Sequence, residues 1–122
     1  MIDAPPERAF AALPEVVGAT AGVHEGAEWV APYGRAHLVE LDLAERRFVY
    51  RSKQAGDNPS FTLWTWRVDP ADGGRRSRVT LAWDLRPVTF VRKRVTSHLQ
   101  NRRIARTEAP AALAALARAA SA

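Results

Sequence analysis

Cysteine is absent from this chain of 122 residues. Its absence excludes disulfide bonds, thiolate metal sites and thiol nucleophiles. Long hydrophobic runs are also missing, since the most continuous one covers only residues 109–117, far short of a membrane span. The N-terminus has no basic segment followed by an apolar one, so we expect no secretory signal. These absences predict a cytoplasmic protein without a membrane span.

Motifs that carry catalysis are equally scarce. Gly73 and Gly74 are not followed by the lysine and hydroxyl residue of a phosphate-binding loop. The three histidines are scattered and have no second ligand at a spacing typical of metal sites: His24, His37 and His98. No serine stands in a recognisable nucleophile motif. We therefore expect no metal and no cofactor, and the sequence leaves open whether the protein is an enzyme.

Charge is distributed unevenly along the chain. Residues 1–74 carry seven basic and eleven acidic side chains, whereas residues 75–122 carry eleven basic and two acidic ones, which together give the net charge of +5. A basic surface of this kind can bind nucleic acid, an acidic head group or a carboxylated ligand. We favour a solvated arginine-rich face, because the arginines are dispersed rather than interleaved with exposed aromatic residues. A nucleic-acid partner is accordingly not expected.

Hydrophobic periodicity predicts both strands and helices. Apolar residues and turn signals indicate five strands, at 23–30, 35–41, 46–53, 60–69 and 75–85. A turn is expected at 56–59, where the sequence reads Gly-Asp-Asn-Pro. Helices are expected at 5–13 and 15–20, with a break at Pro14, and at 88–119. Pro110 should kink or divide that last helix.

Large aromatic residues recur on one face of the predicted strands. They are Phe48, Tyr50, Trp64, Trp66 and Trp83. One interpretation is a pocket in which a flat apolar ligand packs against these rings. The other is that the rings fill the core, because each tryptophan buries about 200 Å². The sequence does not decide between them.

The opening segment Ile-Asp-Ala-Pro-Pro-Glu-Arg-Ala-Phe, residues 2–10, has the pattern of a strand end leading into a helix. It resembles the opening signature of the SRPBCC superfamily, the START-like helix-grip proteins that include polyketide cyclase/dehydrase-type members. The resemblance implies one ligand-binding domain over residues 1–122 with an α+β fold. In that fold a curved antiparallel sheet wraps around a long C-terminal helix, with short N-terminal helices, and a cavity lies between sheet and helix.

The resemblance predicts that an apolar or aromatic small molecule binds in this cavity. The expected ligand-binding residues are the five aromatic residues above together with Arg102 and Arg106 on the long helix. An arginine stays protonated, so it would bind a carboxylate or stabilise an enolate rather than act as a base. Two alternatives remain: a polyketide cyclase or dehydratase, in which Tyr50 is the first polar candidate, and an interaction module that uses the basic helix surface.

The edge of the expected sheet carries a further prediction. Members of the superfamily have several residues before the opening motif, and these complete a first strand. Met1 lies within that strand here, so either the strand is shortened and the sheet edge is open, or the chain does not begin at its natural start. Because an open edge can pair with another chain, a homodimer is a predicted form of the protein.

Overall fold

The computed structural model of the chain describes residues 1–19, 23–31, 34–53, 61–86 and 97–121. It is an α+β structure with one antiparallel sheet, as predicted. Five strands follow one another across this sheet in chain order: β1 (Glu28–Ala31), β2 (Gly34–Asp42), β3 (Arg47–Lys53), β4 (Phe61–Ala71) and β5 (Arg76–Arg86). The sheet is open, and β1 and β5 are its edges.

Four of the predicted strands are confirmed to within a few residues, but the first is much shorter than expected. The strand predicted at 23–30 begins only at Glu28, because a turn precedes it. In this turn the Ala27 N–H donates to the His24 carbonyl at 3.0 Å, and Gly26 has a φ of 86°. Such a left-handed conformation suits glycine and interrupts an extended chain. The turn predicted at 56–59 lies outside the described residues.

Two short helices, α1 (Pro6–Ala11) and α2 (Leu13–Val17), precede the sheet. Both have a proline in the first helical turn, where the missing N–H needs no partner. The predicted break at Pro14 is therefore wrong: Pro14 lies inside the first turn of α2, and the interruption falls at Ala12. Helix α2 ends at Gly18, whose φ of 88° gives the left-handed cap that only glycine adopts without strain.

The C-terminal helix comprises α3 (Ser97–Arg103), a π-helical turn (Ile104–Glu108) and α4 (Ala109–Ser121). The part predicted at 88–96 lies outside the described residues. Pro110 does not divide the helix, because the backbone remains right-handed helical at Ala109, with φ −66° and ψ −47°. In a π turn the hydrogen bonds reach one residue further back, which widens the helix. The widened turn directly before Pro110 accommodates a ring that would crowd a regular α-helix.

A single core joins the inner face of the sheet to helices α1, α2 and α4. Phe48, Trp66 and Val68 from the strands are almost fully buried with Leu13 of α2 and Leu116 of α4. This packing follows the alternation in β4, where Trp66 and Val68 point inward. The helices therefore cover the same sheet face that carries the aromatic residues. None of the helices in the described segments has the length and apolar character needed to cross a membrane.

Candidate functional site

Strand register places the aromatic residues in two rows that run across the inner face of the sheet. One row consists of Leu38, Tyr50, Trp64 and Trp83, each opposite the next on neighbouring strands. The other consists of Leu41, Phe48, Trp66 and Leu81. All five aromatic residues predicted to bind a ligand thus lie together. Directly opposed side chains on one face interact across strands, so each row is a continuous apolar surface.

Burial divides these five rings into two groups. Phe48 and Trp66 are each 1% exposed and fill the core. Trp64 and Trp83 are only half-buried. Tyr50 lies between the groups: its ring is buried, and it stacks on Trp64 with ring centroids 6.2 Å apart and an interplanar angle of 16°. Phe48 and Trp66 therefore fill the core, whereas ligand binding by the half-buried rings stays a prediction.

Trp29 is a member of the cluster that the sequence interpretation missed. Its ring centroid lies 5.5 Å from that of Tyr50 and 6.5 Å from that of Phe48. Its indole N–H donates to the Val17 carbonyl at 2.8 Å, which fastens β1 to the end of α2. The alternation that could have identified Trp29 as an inward-facing residue is weak, because β1 has only four residues. The residue next to Trp29, Val30, is also apolar although it is 78% exposed.

The indole N–H groups of the cluster are satisfied unequally. Trp64 donates to the Ser52 hydroxyl at 2.8 Å, and Trp83 donates to the Asn101 side-chain oxygen at 2.7 Å. The second bond connects β5 to α3. The N–H of Trp66 is buried and has no hydrogen-bond partner among the residues that the structure describes. A buried donor left unpaired costs on the order of 1–3 kcal/mol, so it is an exception that asks for an explanation.

Tyr50 and Glu108 bring two ionisable groups to this part of the core. Burial raises the pKa of Tyr50 to about 12; the Trp66 N–H opposes that shift without reaching hydrogen-bond geometry, and the charge of Glu108 adds to it. The Glu108 side chain is 10% exposed and lies 4.0 Å from Arg103, measured from Oε1 to Nε. Tyr50 thus keeps its hydroxyl proton well beyond neutral pH, and the acidic residue that contributes to this shift belongs to the π turn.

Arg102 and Arg106, the two predicted ligand-binding arginines, are both exposed on the helix. The structure does not bring them into the aromatic cluster, and their role in ligand binding stays a prediction. The polar contacts to this face of the sheet come from two other residues of α3. Asn101 accepts a hydrogen bond from Trp83, and the Gln100 side-chain amide lies 3.5 Å from the Thr62 hydroxyl. Sequence pattern could not identify these two amides, because only the crossing of the helix over β4 and β5 selects them.

A separate shallow depression of about 230 Å³ lies between α1 and the turn after β2. Its lining consists of Glu7, Phe10, Ala11, Leu43 and Arg46, and it includes no member of the aromatic cluster. Within the described segments no three His, Asp or Glu residues are close enough to hold a metal ion. No protein-family model, curated protein or solved structure matches this chain.

Proposed function

We propose that this protein binds an apolar or aromatic small molecule between the aromatic rows of the sheet and the C-terminal helix, in the manner of the helix-grip proteins of the SRPBCC superfamily. The observation that carries the proposal is the row Tyr50–Trp64–Trp83. Its last two rings lie on the helix-facing side of the sheet yet are only half-buried. Aromatic surface of this kind, with a few convergent polar groups, is typical of small-molecule sites.

Fixed indole orientation supports the same proposal. The Trp64 and Trp83 rings are each held by a hydrogen bond at the N–H, to Ser52 and Asn101. A ring held in this way loses little conformational freedom when a ligand stacks on it, so more of the contact energy appears as affinity.

A cyclase or dehydratase activity is the catalytic form of this proposal. It requires an acid and a base beside the bound ligand, and Tyr50 with Glu108 is the pair that the described structure offers. The Tyr50 O–H is a donor at neutral pH, which suits stabilisation of an enolate oxygen. Glu108 is the group that would accept a proton.

An interaction module is the second candidate, and a different observation favours it. Arg102, Arg103 and Arg106 are all exposed on the C-terminal helix, as that hypothesis requires. Binding of an acidic partner to this surface would weaken with salt, because exposed charges are screened over roughly 8–10 Å at physiological ionic strength.

The test is native mass spectrometry of the purified protein, followed by tryptophan-fluorescence titration with aromatic polyketides, fatty acids and sterols. A co-purified mass or saturable quenching is the expected result. For the compound that saturates, calorimetry should show binding about two- to tenfold weaker in Trp64→Leu, since a lost aromatic contact removes about 0.5–1.5 kcal/mol. Arg103→Ala is the control and should bind as the unmodified protein does.

If Arg103→Ala weakens binding of the same compound more than Trp64→Leu does, the result would support the arginine surface instead. Absence of any bound compound in the folded protein would refute the small-molecule proposal. Circular dichroism of both variants establishes folding, and Trp64 is suited to this comparison because it is half-buried, unlike Trp66.

A further inference from the structure

One end of the outer sheet face, the face opposite to the core, has a row of basic residues with an aromatic residue among them. Strand register places Arg35 opposite Lys53, and Phe61 opposite Arg86. Lys53 lies beside Phe61, one step beyond the last pair that joins β3 to β4. Neighbouring strands are about 4.8 Å apart, so this row crosses four strands over about 14 Å. We call these four residues the basic row.

The pair of Arg35 and Lys53 is a cost to the fold. Like charges directly opposite each other on neighbouring strands are destabilising. Both side chains are exposed, and no carboxylate of the described residues lies within ion-pair distance of either one. Their mutual repulsion is therefore not offset by a nearby acidic side chain in the part of the chain that the structure describes.

A second pair of like charges on the same face is compensated. Arg47 lies opposite Arg67. Arg47 forms ion pairs with Glu40 and Asp42, and Arg67 lies 3.3 Å from Asp69. Carboxylates thus accompany the cations at one end of the outer face, whereas the described residues supply none to the pair at the other end. Cations kept without an acidic partner are available to an anion from outside.

Phe61 distinguishes the basic row from an ordinary charged surface. Its ring is half-buried, and the guanidinium carbon of Arg51 lies 5.9 Å from the ring centroid. Arg51 is exposed and belongs to the next row of the outer face, opposite His37. Aromatic rings and guanidinium planes both stack on nucleic-acid bases. Phe61 and Arg51 together therefore offer a stacking surface beside the cations.

Two carboxylates lie near this patch, and neither belongs to the basic row. Glu28 lies 3.4 Å from His37, and Asp84 already interacts within the chain. Both are in the row that contains Arg51. The basic row and Arg51 together contribute four basic residues, so the patch remains positively charged.

We propose that this patch of the outer sheet face binds single-stranded nucleic acid, with phosphates on the basic row and a base stacked on Phe61 and Arg51. A single strand exposes the faces of its bases, whereas a duplex keeps them within its stack. Only a single strand can therefore use both the cations and the ring. The site lies on the opposite side of the sheet from the aromatic rows and does not depend on the small-molecule proposal.

This partner differs from the expectation drawn from the sequence, which rested on the dispersal of the arginines. The basic row is indeed dispersed along the chain, because its members come from four strands between residues 35 and 86. Strand pairing collects them and places an aromatic ring among them, and sequence order does not show that arrangement.

Fluorescence anisotropy over a salt series tests the proposal, with a fluorescein-labelled oligo(dT) of about twelve nucleotides as the probe. Lys53→Gln should weaken binding several-fold at low salt. It should also reduce the slope of log K against log salt by about 0.7, the value for one phosphate contact on a single strand. Phe61→Leu should weaken binding at least fivefold with the slope unchanged, because stacking releases no counterions.

Arg67→Gln is the matched control. It removes an exposed arginine from the same face of β4, at the end where carboxylates accompany the cations. Affinity and slope should both stay as they are in the unmodified protein. Circular dichroism establishes folding of each variant, and Lys53→Gln keeps the test valid if Phe61→Leu does not fold, because Lys53 is exposed.

Lys53→Glu separates binding from folding. It places opposite charges across the strands with Arg35, so the urea midpoint should rise while oligonucleotide binding is lost. A lysine with a purely structural role would give the reverse, a lower midpoint, and that result would overturn the argument.

Four other outcomes overturn the proposal as well. One is no binding of the oligonucleotide at low salt, and another is equal affinity for a duplex of the same length. A loss of binding in Arg103→Gln but not in Lys53→Gln would place the contact on the C-terminal helix. Lys53-dependent binding to vesicles that contain phosphatidylserine, without binding to the oligonucleotide, would assign the patch to a membrane surface.

Discussion

Replacement of Ser77 by alanine should destabilise the fold far more than its size suggests. The Ser77 side chain is 0% exposed, and its hydroxyl donates to the carbonyl of Ala4 at 2.7 Å. That bond lies beside the Ile2–Ser77 bridge and holds the start of the chain against β5. Alanine fits the space but leaves the Ala4 carbonyl buried without this donor. A buried polar group without its partner costs about 1–3 kcal/mol.

A chemically identical change at Ser52 is the matched control. The Ser52 hydroxyl accepts from the Trp64 N–H at 2.8 Å, but both residues are half-buried. Water can therefore replace the lost hydroxyl in Ser52→Ala, and the cost should stay near the net value of one hydrogen bond, about 0.5–1.5 kcal/mol. Ser77→Ala should thus exceed Ser52→Ala by about 1 kcal/mol.

Urea unfolding followed by tryptophan fluorescence measures both free energies of unfolding, at one low protein concentration so that association does not contribute. In a thermal scan each 1 kcal/mol corresponds to about 3–6 °C in Tm for a chain of this size. Equal destabilisation by the two substitutions would refute the argument, because it would mean that burial of the acceptor does not set the cost.

Two further predictions concern ionisation and backbone conformation. Burial raises the pKa of Tyr50 from its ordinary value of 10 to about 12, so the neutral hydroxyl contributes stability that is fully present below pH 10 and is lost as the pH rises towards 12. Ultraviolet absorbance of a Tyr33→Phe variant isolates this titration, and a midpoint near pH 10 in the folded protein would contradict it. Gly18→Ala should lower the free energy of unfolding by about 1 kcal/mol, because a residue with a Cβ is strained at the φ of 88°. Packing should contribute little to this loss, since the added Cβ would lie an ordinary 3.7 Å from Trp29. A neutral result in urea unfolding would show that the cap conformation is not strained.

Local pattern was sufficient for most of the secondary structure. Alternation of Trp64, Trp66 and Val68 with polar residues predicted β4 and its inner face, because the side-chain period of a strand is a property of the backbone alone. Pro5 and Pro6 marked the start of the first helix for the same local reason, although the break predicted at Pro14 falls two residues earlier, at Ala12. The length of β1 was overestimated because the turn at Gly26 depends on a tertiary contact, the hydrogen bond from the Gly26 N–H to the Leu38 carbonyl of β2.

The sequence by itself thus determined an antiparallel sheet with aromatic residues on one face and a helix at the C-terminal end. Only the tertiary structure decided which rings are buried, since Trp64 and Trp66 share a face yet differ in what covers them. It also added Trp29 to the cluster, gave the Trp66 N–H no partner within the described segments and joined Ile2 to Ser77. Each of these depends on contacts between residues far apart in the chain, which periodicity cannot encode.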